Sequence, residues 1–181
     1  MEKIAVIGAG QMGNGIAQVA ASAGYEVLMV DIKQEFVDRG MATIQKSLSK
    51  LVSKERMSQS DADNTLARIS TTTDRSECAD VDLVVEAVPE VLDLKTSIFS
   101  ELDEICKPEC ILASNTSSIS ISTIANSTNR PDKVIGMHFM NPVPIMKLVE
   151  IINGEQTSDA TNSAVVEAAE KMGKTALSCN D

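Results

Sequence analysis

The sequence predicts an α/β fold on a doubly wound, mostly parallel sheet, and three observations point to it. Short apolar, β-branched runs alternate with helical stretches along all 181 residues. The first run, Lys3-Ile4-Ala5-Val6-Ile7, passes directly into Gly8-Ala9-Gly10-Gln11-Met12-Gly13. No repeat, low-complexity tract or linker interrupts the alternation, so residues 1–181 read as one domain.

The opening residues form a βαβ unit. Asn14 to Ala23 reads as a helix, Gly24-Tyr25 stops it, and Glu26-Val27-Leu28-Met29-Val30 is a second strand ending at Asp31. Gly8 allows the tight turn. Gly10 lets a pyrophosphate approach the backbone, and Gly13 lets the helix pack closely. With Gln11 and Met12 between them, these glycines make a dinucleotide-binding turn. The helix N-terminus presents free N–H groups and a positive dipole end to the phosphates. Asp31 accepts the hydroxyls of an adenosine ribose and repels a 2′-phosphate, which favours NAD over NADP. The sheet is therefore expected to be of the Rossmann type.

The remaining elements follow in order. Gln34 to Val52 is helical, with Val37, Met41, Ile44, Leu48 and Leu51 on one face. Lys46, Lys50 and Lys54 step by four along the other side, either as a solvated face or as a site for an anionic ligand. Ser58 caps a second helix, Gln59 to Ala67, so that residues 34–68 form an inserted helical hairpin. Ile69-Ser70-Thr71 is a short strand and Leu83 to Val88 a buried one. Pro89-Glu90 opens a helix running to about Cys106. Ile111-Leu112-Ala113 is the next strand. Ser114-Asn115-Thr116-Ser117-Ser118 then lies at the carboxyl edge of the sheet, where open α/β folds bind ligands, and also caps a helix from Ile119 to Ala125. Lys133 to Met137 is a strand with His138 at its end, and Ile145 to Ile152 is another. Ser158 or Asp159 caps a helix from Ala160 to Met172, and Thr175-Ala176-Leu177 is a last short strand.

Composition narrows the function classes. The net charge is −10, which argues against a nucleic-acid partner or an anionic membrane surface. No apolar run is long enough to span a bilayer, and the first strand starts too early for a signal peptide. A cytoplasmic location is expected. Cys78, Cys106, Cys110 and Cys179 form no metal-binding spacing with the single histidine, so no metal site is expected and reduced thiols are.

That histidine, His138, stands beside the Asn141-Pro142 turn, with Glu150 on the following strand. Alternation places Glu150 with Met146, Leu148 and Ile152. Among such neighbours a carboxylate needs a partner, and His138 is the candidate; the other reading leaves Glu150 facing water on an edge strand. A His–carboxylate pair stabilises the imidazolium and makes histidine a general base near neutral pH. Beside an NAD site, such a pair implies alcohol oxidation.

These residues together resemble the 3-hydroxyacyl-CoA dehydrogenase family, most of all its single-function 3-hydroxybutyryl-CoA members. The resemblance rests on the glycine motif, Val85-Glu86-Ala87, Ser114 to Ser118, and His138-Phe139-Met140-Asn141-Pro142-Val143-Pro144 running into Lys147-Leu148-Val149-Glu150. It implies NAD-dependent oxidation of a short-chain (S)-3-hydroxyacyl-CoA in fatty-acid or butyrate metabolism. His138 would be the base and Glu150 its partner. Ser117 and Asn141 would hold the substrate oxygen, the imidazole or the nicotinamide. Ala87, Glu90, Lys95 and Asn115 match cofactor contacts, and Ser47 and Lys54 match coenzyme A contacts. The family continues, past a motif like Ser178-Cys179-Asn180-Asp181, into a helical domain that builds its homodimer; this is expected to be absent here. The competing readings are an NAD-binding module without turnover and a dehydrogenase of a 3-hydroxy acid without CoA.

Overall fold

The computed structural model describes residues 1–181. Eight strands form one sheet: β1 (Lys3–Ile7), β2 (Glu26–Val30), β3 (Ile69–Thr72), β4 (Leu83–Glu86), β5 (Ile111–Ser114), β6 (Val134–Phe139), β7 (Leu148–Asn153) and β8 (Thr175–Asn180). Their order is β3-β2-β1-β4-β5-β6-β7-β8. Every neighbouring pair is parallel except β6 and β7. The doubly wound, mostly parallel sheet expected from the sequence is therefore present, and the strand order reverses between β1 and β4.

The helices are α1 (Gln11–Ser22), α2 (Gln34–Ser53), α3 (Gln59–Ala67), α4 (Leu92–Ile105), α5 (Ile121–Ala125) and α6 (Asp159–Lys171). Side chains of α1, α2, α3 and α6 pack with Ile4, Val6, Val27 and Met29 on one face of the sheet. Those of α4 and α5 pack with Ala5, Ile7, Val30 and Val84 on the other. The apolar face assigned to α2 is the packed one: Val37, Ile44 and Leu48 are buried. The α2–α3 hairpin sits between β2 and β3, capped at α3 by Ser58, whose hydroxyl accepts from Asp61 N–H. No helix is long and apolar enough to cross a membrane.

Several boundaries differ from the sequence reading, and local hydrogen bonds account for those at the β4–α4 junction, α5 and β7. α1 starts at Gln11 rather than Asn14, inside the glycine motif, with Gly10 as its N-cap. β4 ends at Glu86, and α4 starts only at Leu92, because the Glu86 carboxylate draws Val88 N–H and turns the chain. Ser120 caps α5, which begins at Ile121 rather than Ile119. β7 starts at Leu148 because Ile145 and Met146 donate their N–H groups to Pro142 O in a turn. β8 runs three residues further, to Asn180. His138 lies within β6, not beyond it.

All four cysteines are free, and only Cys179 is exposed. Burial pushes the Cys78 thiol up to about 12. A disulfide reagent at neutral pH is expected to titrate one thiol quickly in the native chain and all four in denaturant. A second fast thiol would contradict this packing.

Candidate active site

The glycine turn is built by close approach. Gly8 has φ +108°, and a Cβ there would lie 2.6 Å from Ala87 O. A Cβ on Gly13 would lie 1.8 Å from Gly8 O, so this glycine serves the turn itself more than the packing of helix on strand. A Cβ on Gly10 would meet nothing within 4 Å; this glycine faces open space. The first turn of α1 carries no side-chain cap and no acid. Its N–H groups therefore face a space that a phosphate fits.

Asp31 closes the far side. One carboxylate oxygen accepts Ala9 N–H at 2.8 Å and the other Ile32 N–H at 2.7 Å. These bonds tie the tip of β2 to the glycine turn and leave a lone pair on each oxygen for ribose hydroxyls. Together with Gly8, Gly10, Gln11, Met12 and Ala87, Asp31 lines a cavity of about 570 Å³. Phe36, Arg39 and Arg75 line it as well, and pattern reading of the sequence had singled out none of them.

Met12 and Ala87 to Pro89 are shared with a second cavity of about 310 Å³. Its wall brings together Glu90, Lys95, Asn115, Ser117, His138 and Asn141. They come from the loop after β4, from α4, from the loop after β5, and from β6 and the turn that follows it; the parallel pairing of β4, β5 and β6 gathers them at one edge of the sheet. Ser47 and Lys54 line neither cavity. Ser47 is half-buried on α2, and Lys46, Lys50 and Lys54 are exposed, with Lys54 at the C-cap of the helix.

His138 and Glu150 stand directly opposite one another in the antiparallel β6–β7 pair, so both side chains project from the same face. His138 Nδ1 lies 3.5 Å from Glu150 Oε1, with the side chains 21% and 36% exposed. That separation exceeds a formed hydrogen bond, as is common before a substrate closes a site. With Nδ1 turned to Glu150, Nε2 is the ring nitrogen left for the cavity. Glu150 matches neither reading in full: β7 lies between β6 and β8 rather than at an edge, and the carboxylate is half-buried rather than enclosed. The buried face of β7 carries Val149 and Ile151, and Glu150 sits half-buried on the other.

The Ser114–Ser118 segment alternates. Ser114 donates its hydroxyl to Glu86, and Thr116 and Ser118 donate theirs to Glu90. Asn115 and Ser117 lie between these anchors and line the cavity. Asn115 Oδ1 accepts Phe139 N–H at 2.8 Å, which leaves its amide N–H groups free. The Ser117 side chain is exposed and makes no hydrogen bond within the protein. Asn141 Oδ1 accepts from Gln11 Nε2 at 3.2 Å, joining the two ends of the trough.

Behind this wall is Glu86, a residue of the Val85-Glu86-Ala87 motif to which the sequence assigns no role of its own. Glu86 is fully buried, as is Lys95, and their charged groups are 2.6 Å apart. The Lys95 ammonium also reaches Val88 O and, at 3.0 Å, Glu90. A glutamate inside the apolar run 83–88, with a lysine nine residues on, was the available signal.

The chain matches the family model described as 3-hydroxyacyl-CoA dehydrogenase, NAD binding domain, over residues 3–181. It is 58% identical over 180 residues to a probable 3-hydroxybutyryl-CoA dehydrogenase of Deinococcus radiodurans, covering 99% of this chain and 64% of that protein. It is 49% identical to a probable 3-hydroxybutyryl-CoA dehydrogenase of Bacillus subtilis, covering all of this chain and 63% of the relative. Among solved structures, (S)-3-hydroxybutyryl-CoA dehydrogenase from Ralstonia eutropha superposes with a TM-score of 0.98 at 45% identity, over 100% of this chain and 64% of that one. The chain thus spans under two thirds of the length of these relatives. A trough fitted to a dinucleotide, a family model covering nearly every residue and a matching backbone agree: the chain belongs to the 3-hydroxyacyl-CoA dehydrogenase family, whose NAD-binding domain it carries.

Proposed function

We propose that the protein oxidises short-chain (S)-3-hydroxyacyl-CoA to 3-ketoacyl-CoA with NAD, and that residues 1–181 hold the cofactor and the general base. The observation that carries this is His138, backed by Glu150, on the wall of the cavity that continues from the Asp31 site. When bound, NAD supplies the acceptor for the hydride. His138 takes the hydroxyl proton at Nε2. Glu150, behind Nδ1, stabilises the imidazolium that results. The free Ser117 hydroxyl and the Asn115 amide face the same space and orient the substrate oxygen. Ala87 and Glu90 border the cofactor at the shared end of the two cavities, and Lys95 holds Glu90 there.

Lys54 and Ser47 hold the coenzyme A moiety in this reading. Their support is family resemblance and exposed positive charge on α2 of an otherwise acidic chain. In this reading the protein acts as a homodimer, supported by the family resemblance. Ile145, 73% exposed, and Leu177, 56% exposed, support a covered surface near β7 and β8. A cytoplasmic location completes the reading, supported by four unpaired thiols.

The test follows NADH absorbance with acetoacetyl-CoA and with acetoacetate, using the protein at its full natural length. Consumption with the thioester only is expected. Lys54→Ala is expected to raise the KM for acetoacetyl-CoA without changing NADH affinity. Equal rates on both substrates would replace the CoA reading with that of a free hydroxy-acid dehydrogenase. Loss of NADH affinity in the Lys54 variant would move that lysine to the cofactor site.

A second expectation concerns cofactor choice. Asp31→Ser removes the carboxylate that repels a 2′-phosphate, so the NADH-over-NADPH preference is expected to fall by about tenfold or more. An unchanged preference would show that another residue reads the ribose.

A further inference from the structure

We propose that the Glu86–Lys95–Glu90 cluster, with two carboxylates against one ammonium on and behind the wall of the His138 cavity, strengthens binding of the oxidised nicotinamide relative to the reduced one through the Glu90 charge. The proposal rests on the cofactor reading above and concerns how that charge shifts the ratio of the two affinities.

The charge count follows from the hydrogen bonds. Lys95 has three N–H groups, and they meet Glu86 at 2.6 Å, Val88 O at 3.2 Å and Glu90 at 3.0 Å. The ammonium is fully spent within the protein. The Glu86 carboxylate is equally occupied, accepting Val88 N–H at 2.7 Å, Ser114 Oγ–H at 2.6 Å and the lysine. Glu90 accepts from Thr116 at 2.7 Å and from Ser118 at 3.2 Å. Burial alone would push the Glu90 carboxyl up, but hydrogen bonds from Thr116, Lys95 and Ser118 outweigh it and hold it below the usual carboxylate range. Glu90 is thus ionised at neutral pH, and the cluster carries one net negative charge.

Its placement gives that charge a consequence. Glu90 and Lys95 share the cavity wall with Asn115, Ser117 and His138. The only cationic side chain on that wall, apart from the histidine, is Lys95, already neutralised by Glu86. Glu150 adds a second carboxylate behind His138. Oxidised nicotinamide carries a positive charge on the ring and reduced nicotinamide carries none. Glu90 is 43% exposed, so its charge acts through a screened field, but a fixed negative charge on the cavity wall still stabilises the oxidised form more than the reduced one. A cluster that served only to brace the two loops would treat both forms alike.

The experiment measures the dissociation constants of NAD and NADH on the 181-residue chain, with no turnover required. The parent is compared with Glu90→Gln, Glu90→Asp and, as a control, Glu109→Gln, which removes an exposed charge before β5, at the opposite edge of the sheet. Glu90→Gln is expected to raise the ratio Kd(NAD)/Kd(NADH) about tenfold, equivalent to a rise of about 30 mV in the two-electron potential of the bound couple. Glu90→Asp keeps the charge and is expected to keep the parent ratio even where both constants change. Glu109→Gln is expected to leave it alone. A ratio that stays fixed in Glu90→Gln, or moves as far in Glu90→Asp, would overturn the charge assignment while NADH binding by the parent still stood. A folded parent that bound neither form would overturn the cofactor reading and this proposal with it.

Discussion

Replacing His138 with Gln is expected to lower the rate of NADH oxidation by acetoacetyl-CoA by roughly 10²–10⁴-fold, the range that general acid–base catalysis contributes. NADH affinity is expected to be unchanged. The two expectations separate because His138 and Asp31 border different cavities, which share Met12 and the residues after β4. Glutamine keeps a polar side chain of similar reach on β6 and removes the group that takes the proton. Glu150→Gln is expected to lower turnover less, because it removes only the partner of the base. Near-normal turnover in His138→Gln would assign the base to another residue.

Lys95→Met is expected to have the largest effect on stability of any single substitution in the site. It leaves Glu86, fully buried, with two hydrogen bonds and no countercharge. Breaking one side of a buried ion pair costs about 3–5 kcal/mol, which in a chain of this length corresponds to a melting temperature lower by about 6–20 °C. The double variant Glu86→Gln/Lys95→Met removes both charges and is expected to recover much of that loss. Thermal unfolding of the parent, both single variants and the double variant measures the coupling directly. Additive losses would show that the two groups do not depend on each other.

The glycine turn, the following helix and Asp31 were legible in the sequence because their physics is local: a few adjacent residues fix the turn and the strand end. The pairing of His138 with Glu150 was legible as a chemical need but not as a geometry. Nothing in the pattern fixes the register across the turn at 140–147, and the structure sets the two residues directly opposite. The surroundings of Glu150 were open for the same reason, since alternation names two faces without saying which one the helices cover. The Ser114–Ser118 run read as a block of hydroxyls. Its division into anchors at 114, 116 and 118 and cavity residues at 115 and 117 depends on acids 26 to 28 positions away in the chain. Glu86 was hidden by its setting in an apolar strand, where the charge is affordable only because Lys95 folds back onto it from α4.

The central claim is that this chain holds a dinucleotide in the trough running from Asp31 to His138. The most direct test titrates the 181-residue chain with NADH and with NADPH, following cofactor fluorescence, after circular dichroism has shown it to be folded. Saturable binding of NADH, clearly tighter than that of NADPH, is the predicted result. A folded chain that binds neither, or that prefers NADPH, would contradict it.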